Sequence, residues 1–210
     1  MRFRAFMLLL TILCGQVWAG VLAFKNPEAG YQLDVPNGWT QIPDGVISER
    51  VKSLHPEGRR LIVDTAFQPN RLKEWMAYPY ITIQLVGKLA PNRPVTEQEF
   101  HRLVAGISSA SKMPKMQATV ANMARHDAHM LKFNEFVDSV SKAKIYSDTD
   151  RRKYWFLADN PVAGESMVSV IGGTVVSSGM LVQMNGACKK NELKSFVPVF
   201  LKMFDSVRDF

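Results

Sequence analysis

The chain has little cysteine. Two thiols, Cys14 and Cys188, occur in 210 residues, and Cys14 falls in a stretch that reads as a removable leader. Without that stretch a single thiol is left. No intrachain disulfide then forms, and the fold is held by its core rather than by the cross-links on which many small secreted domains rely. There is no glycine-rich phosphate loop, with or without Lys-Ser/Thr. Internal repeats, low-complexity tracts and long linkers are also missing, and no nucleic-acid motif is present. The closest approach to a hydrolase nucleophile turn, Gly164-Glu165-Ser166-Met167-Val168, lacks the final glycine of G-x-S-x-G. These absences argue against loop-cradled nucleotide chemistry, nucleic-acid recognition and the strained-serine hydrolases. They leave no residue to assign as catalytic, cofactor-binding or metal-ligating.

What is present begins at the N-terminus. Arg2 and Arg4 precede an apolar run of 9 residues, Ala5 to Leu13, far short of the roughly 20 that cross a bilayer. Val17-Trp18-Ala19 follows with small residues at the positions a signal peptidase reads. Residues 1–19 are therefore expected to be a signal peptide and 20–210 one α+β domain, exported to the periplasm or beyond the cell. Val21 and Ala23 offer a second cleavage site, and an uncleaved segment would instead tether the domain to the membrane. The chain has 26 Lys and Arg against 19 Asp and Glu, a net +7. Loss of Arg2 and Arg4 leaves 24 against 19, a mild excess of +5 scattered over element ends. Such a charge suits proximity to a membrane surface or an acidic partner.

Local patterns give the elements. Tyr31 to Val35 alternates apolar and polar, as a half-buried strand does, and Pro36-Asn37-Gly38 turns the chain before Trp39. Leu61 to Phe67 and Tyr80 to Leu85 read as further strands. Thr96 and Glu99 form a capping box ahead of Phe100, Leu103, Val104 and Ile107 at helical spacing. A second helix is predicted from about Pro114, with Met113, Met116, Val120 and Met123 as its buried stripe. Met130 to Val137 reads as a strand. Ile145-Tyr146 and Lys153 to Leu157 form one hairpin around Ser147 to Asp150. Met167 to Val176 and Gly179 to Asn185 form another around Ser177-Ser178. Gly172-Gly173 within it marks a bulge or a close approach of backbone. Phe196, Val199, Phe200, Met203, Phe204 and Val207 line one face of a closing helix. Ser195 is expected as its N-cap, which puts Pro198 in the first turn.

The segment Gly30-Tyr31-Gln32-Leu33-Asp34-Val35-Pro36-Asn37-Gly38-Trp39 is similar to the opening strand and Pro-x-Gly-Trp turn of the PsbP-like superfamily. The closing helix, with Phe200, Met203 and Ser206, resembles that family's last element. The resemblance implies an α/β/α sandwich: an antiparallel β-sheet with helices packed on both faces. It also implies a non-enzymatic binding, assembly or adaptor role, and it transfers no catalytic residue.

Three groups of side chains could carry chemistry. His126 and His129, in His126-Asp127-Ala128-His129, share a face if helical and could join a zinc site, but they have no partner ligands at diagnostic spacing. Cys188 reads as a buried, inert thiol rather than a reactive one. Trp75, Tyr78, Tyr80 and Tyr154-Trp155-Phe156 read as core. If one sheet face were open, Trp75 and Trp155 would line a groove for an apolar, glycan or peptide ligand. The expected function is an exported non-enzymatic binding or accessory domain for a protein or a small apolar or glycan ligand, without cofactor and without nucleic acid. The alternatives are a metal-dependent or hydrolytic periplasmic enzyme and a membrane-tethered interaction domain.

Overall fold

The computed structural model describes residues 22–54, 63–90, 93–109 and 128–210. The leader, His126 and the helix expected from Pro114 lie outside them. The alternation Tyr31-Gln32-Leu33-Asp34-Val35 is realised in β2 (Tyr31–Val35), where Tyr31, Leu33 and Val35 are buried. This strand is the middle of a three-stranded antiparallel sheet, between β1 (Leu22–Asn26) and β10 (Arg208–Asp209). Pro36-Asn37-Gly38-Trp39 is a turn closed by Trp39 N–H on the Pro36 carbonyl at 3.1 Å. Gly38 sits at φ 81° in that turn, a left-handed conformation at the third turn position that glycine adopts without strain.

The turn delivers β3 (Trp39–Gln41) to the edge of a second, seven-stranded sheet. Across it run β3, then β4 (Val63–Pro69), β5 (Tyr80–Lys88), β9 (Met180–Lys189), β8 (Met167–Val175), β7 (Lys153–Asp159) and β6 (Tyr146–Asp148). Every neighbouring pair is antiparallel. Among the described residues the α-helices are α1 (Asp44–Leu54), α2 (Glu97–Ser109), α3 (Ala128–Lys142) and α4 (Leu193–Asp205). The expected α+β class, antiparallel sheet with helices on both faces, is the observed one. The small second sheet is an addition to it.

One face of the large sheet packs on α4 and on the small sheet. Phe67, Ile81, Ile83, Val182 and Met184 meet Tyr31, Leu33, Phe196, Phe200 and Phe204 in one continuous core. Burial of bulky side chains of this kind contributes roughly 1.5 to 3 kcal/mol each. Two glycines let the helix approach. A Cβ on Gly186 would fall 2.7 Å from the Phe196 ring, and one on Gly172 would fall 3.0 Å from Phe204. On the opposite face, a Cβ on Gly173 would fall 2.3 Å from the Tyr154 ring. The pair Gly172-Gly173 is thus a close approach on both faces, within an unbroken ladder.

Three expectations are corrected. Met130 to Val137 is not a strand but part of α3. Phe133, Phe136, Val137 and Val140 recur at i, i+3, i+4 and i+7, a helical period, and Phe136 and Val140 pack on β7 and β8. The closing helix begins at Leu193, directly after a 3-10 turn at Lys190–Glu192, so Ser195 is not its N-cap. The Ser195 hydroxyl instead donates to the Glu192 carbonyl at 2.9 Å. Leu193 packs on the same core as Phe196, which draws the helix start back and leaves Pro198 inside the helix. Finally, the first hairpin turns two residues later than expected, around Thr149 to Arg152, with Arg152 at φ 53°.

Lys153 closes the α4 layer. Its stem is buried beneath the helix end, and its ammonium donates to the carbonyls of Phe204 at 3.1 Å and Asp205 at 2.8 Å. A cation there complements the helix dipole and satisfies carbonyls that have no intrahelical partner. Tyr31 fastens the small sheet to the large one by donating its hydroxyl to Asp64, which also accepts from Asn26 at 2.6 Å. Burial, reinforced by that carboxylate, pushes the Tyr31 phenol well above its ordinary range.

Candidate functional site

The face of the large sheet away from α4 is apolar at its two ends and polar in the middle. At one end α1 covers β4, with Ile42, Ile47 and Ala66 buried together. At the other, α2 and α3 cover β7 and β8, with Phe100, Tyr154, Phe156 and Ile171 at the centre. The capping box places α2: the Glu99 carboxylate accepts from Thr96 N–H at 2.9 Å, and Glu99 N–H donates to the Thr96 hydroxyl at 3.3 Å. Between the ends, the register sets Thr82 opposite Asn185 and Gln84 opposite Gln183. Side chains paired in this way share a face. Ser169 stands on the next strand on the same side, opposite Ala187.

A cleft of about 240 Å³ opens over this polar stripe and runs under α1. Its apolar wall includes Ile47, Val51, Val63, Met76 and Tyr80, and its polar wall includes Thr82, Gln84, Ser169 and Asn185, with Arg50 also lining it. The polar groups are wired in one direction. Ala163 N–H donates to Asn160 Oδ1 at 3.1 Å, and Asn160 Nδ2 donates to Ser169 Oγ at 2.8 Å. Gln183 Nε2 donates to Asn185 Oδ1 at 2.8 Å, while Asn185 Nδ2 is buried without a partner. An unpaired buried amide of this kind costs on the order of 1 to 3 kcal/mol. Tyr80 stacks on Tyr78 with ring centroids 5.2 Å apart. Burial, followed by the neighbouring Tyr78, pushes the Tyr80 phenol up to about 12, with Arg50 pulling weakly the other way.

A larger groove, about 740 Å³, lies between α3 and the β7–β8 connection. It includes Ser166, the serine of the incomplete nucleophile turn, held at φ 59°. Four of its charges form exposed pairs, Lys142 with Asp138 at 2.6 Å and Lys190 with Asp159 at 3.8 Å, with all four side chains at least 60% exposed, and Glu135 and Glu165 also line it. Exposed pairs of this type contribute little and hold no fixed geometry. The groove is therefore a weaker site than the smaller, more enclosed cleft.

The residues singled out in the sequence are not gathered in that cleft, with one exception. His126 is outside the described residues, and His129 lies in α3, with only its backbone placement described. Among the described residues, no group of three or more His, Cys, Asp and Glu side chains could hold a metal. Cys188 is fully buried, and burial, followed by Glu192, pushes its thiol up to about 11. It stays protonated near neutrality and is a poor nucleophile. Tyr154 and Phe156 are core, whereas Trp155 points to the α4 side and stacks on Tyr146 at 4.4 Å. Trp75 is 45% exposed, and its neighbour Met76 lines the cleft. Tyr80 is the exception, an aromatic expected in the core that forms a cleft wall. The polar stripe was missed. Its only sequence signal is Thr82, Gln84, Gln183 and Asn185 alternating with apolar residues, which also describes a solvated strand face.

With this geometry in place, likeness to known proteins is confined to structure. No protein-family model and no curated protein matches the chain. In structure it is similar to cyanobacterial PsbP from Synechocystis sp. PCC 6803, with a TM-score of 0.49 and 11% identity over 94% of this chain and 97% of that one. It is also similar to the Ran-binding protein Mog1p of Saccharomyces cerevisiae, with a TM-score of 0.39 and 10% identity over 90% of this chain and 94% of that one.

Proposed function

We propose that this chain is an exported, non-enzymatic binding or accessory domain, and that its recognition site is the cleft between α1 and the polar stripe of the large sheet. The observation that carries this reading is the orphan Asn185 amide at the wall of a half-enclosed cavity. A buried donor without a partner is destabilising in the free protein, and a ligand that accepts its hydrogen bond recovers that cost. The described lining also favours holding over reacting. Its titratable groups are Arg50 and Tyr80, and the Tyr80 phenol is pushed up to about 12. That phenol exchanges no proton near neutral pH, where a general acid or base works best.

The test is a mixture of small soluble compounds titrated into the isotopically labelled protein, followed by amide NMR shifts. Saturable shifts should gather on Ile47, Met76, Thr82, Ser169 and Asn185. Shifts gathered on Ser166 and Lys190 instead would move the site to the outer groove and reject the reading. Export rests on the leader of residues 1–19. N-terminal sequencing of the protein from its native cell should begin at Gly20, or at Phe24 if the second site is used. A chain that retains Met1 would turn the proposal toward a membrane tether.

A further inference from the structure

The wiring of the cleft specifies the chemistry of its ligand. Asn160 Oδ1 is occupied by Ala163 N–H, and Asn185 Oδ1 by Gln183 Nε2. The Thr82 hydroxyl is committed as a donor to the Asn185 carbonyl at 3.4 Å. Ser169 Oγ already accepts from Asn160, so its own proton is what remains to offer. The oxygens of both asparagine amides are thus engaged, while donors remain at Asn185 Nδ2 and Ser169 Oγ. Arg50 adds a positive charge on the same lining. Opposite them, Ile47, Val51, Met76 and the Tyr80 ring make an apolar wall. The volume sets the scale. A cavity of about 150 Å³ holds one benzene, so about 240 Å³ leaves room for one ring and a short acidic group.

Building on the cleft being the recognition site, we infer that it takes a small carboxylate with a compact apolar body. The carboxylate is held by Asn185 and Ser169, and the apolar body lies against α1 and Tyr80. Donors facing an anion form the stronger, charge-assisted class of hydrogen bond. A cationic or donor-only head group would face the Arg50 charge and leave the Asn185 Nδ2 donor unmet. The site therefore discriminates by sign as well as by size.

Phenylacetate, phenylacetamide and phenethylamine share one ring and differ in the head group. Titrated into the protein and read on the cleft amides, phenylacetate should bind most tightly and phenethylamine at least about ten-fold more weakly, with the amide between them. Asn185→Leu should weaken phenylacetate about ten-fold while leaving the fold intact. Asn185→Asp turns a donor into an acceptor of negative charge and should reverse the order, so that the amine outbinds the acid. If the three probes bind in the cleft with equal affinity, or the order survives Asn185→Asp, the carboxylate inference is overturned and the cleft remains a binding site. If none of them shifts a cleft amide, both the inference and the proposed site fall.

Discussion

Under α4 the large sheet presents Phe67, Ile81, Ile83, Val182 and Met184, none more than 1% exposed. The other side of the same central strands carries Thr82, Gln84, Gln183 and Asn185. A side chain changes face at every residue of a strand, so β5 and β9 write both surfaces at once. The two faces differ in what closes them. One helix with phenylalanines at successive turns, together with the small sheet, seals the first. The second is closed at its ends by separate helices, α1 on one side and α2 with α3 on the other. The first face carries the stability of the fold, and the second leaves a polar gap that a ligand can complete.

The contrast is broken most directly at the centre of the α4 face. Phe200 is fully buried between Phe196 and Phe204. Phe200→Ala should cost about 3 to 5 kcal/mol, visible as a lower midpoint in urea with an unchanged slope. A loss below 1 kcal/mol would show that α4 is dispensable and that the small sheet closes the face alone. Lys153→Met comes next. The substitution keeps the buried stem but takes the charged donor from the Phe204 and Asp205 carbonyls, of which Phe204 keeps only Val207 N–H at 3.1 Å and the C-cap N–H. A loss of roughly 1 to 3 kcal/mol is expected, with the C-terminal turn of α4 exchanging its amide protons faster than the rest.

On the other face, α2 is tied down by its cap, an exposed feature with a smaller effect. Thr96→Ala removes one half of the capping box and should cost about 1 kcal/mol. Glu99 forms the other half and also receives Arg93 at 2.7 and 3.0 Å. The Arg93 hydrogen bonds, then those from Thr96, hold its carboxyl at about 2, below the ordinary 4.5. A carboxylate held low in the folded state contributes stability above its ordinary range and loses it as pH falls toward the depressed value. Wild type and Glu99→Gln should therefore differ in urea midpoint at pH 6 and converge as pH drops from about 4.5 toward 2. A constant difference across that window would mean that Glu99 acts through packing rather than charge.

Much of the α4 face was legible because its signals are local and redundant. The Phe196 to Val207 stripe, the alternation of Tyr31 to Val35 and the Gly172-Gly173 pair each gave the right kind of contact. The start of α4 was misplaced because Leu193 joins the core through tertiary packing, whereas a cap rule weighs only Ser195 and Pro198. The segment from Met130 misled for another reason: eight residues rich in apolar side chains fit both periods, and only the longer run to Val140 shows the helical one. The cleft was hardest to read. Asn185 gains its meaning from Gln183 taking its oxygen and from α1 arriving over Met76 and Tyr80, a meeting of distant segments that no local pattern encodes.

The finest distinction lies between two orphans, one on each face. Thr65 is fully buried, and its hydroxyl, like the Asn185 amide nitrogen, has no partner. Its register partner is Ile83, which puts Thr65 on the α4 side. Thr65→Val exchanges the hydroxyl for a methyl of similar shape in an apolar setting, and should stabilise the protein by up to about 1 kcal/mol without changing any binding at the cleft. Asn185→Leu also removes an orphan but gives up the bond from Gln183, so its stability should stay within about 1 kcal/mol of wild type. Only the Asn185 change should weaken recognition, by the same roughly ten-fold, as expected of a residue whose unmet hydrogen bond is kept for a ligand. Were Thr65→Val to weaken cleft binding as strongly as Asn185→Leu, the two faces would be coupled through β4 and β5, and the division between a stabilising face and a recognising face would not hold.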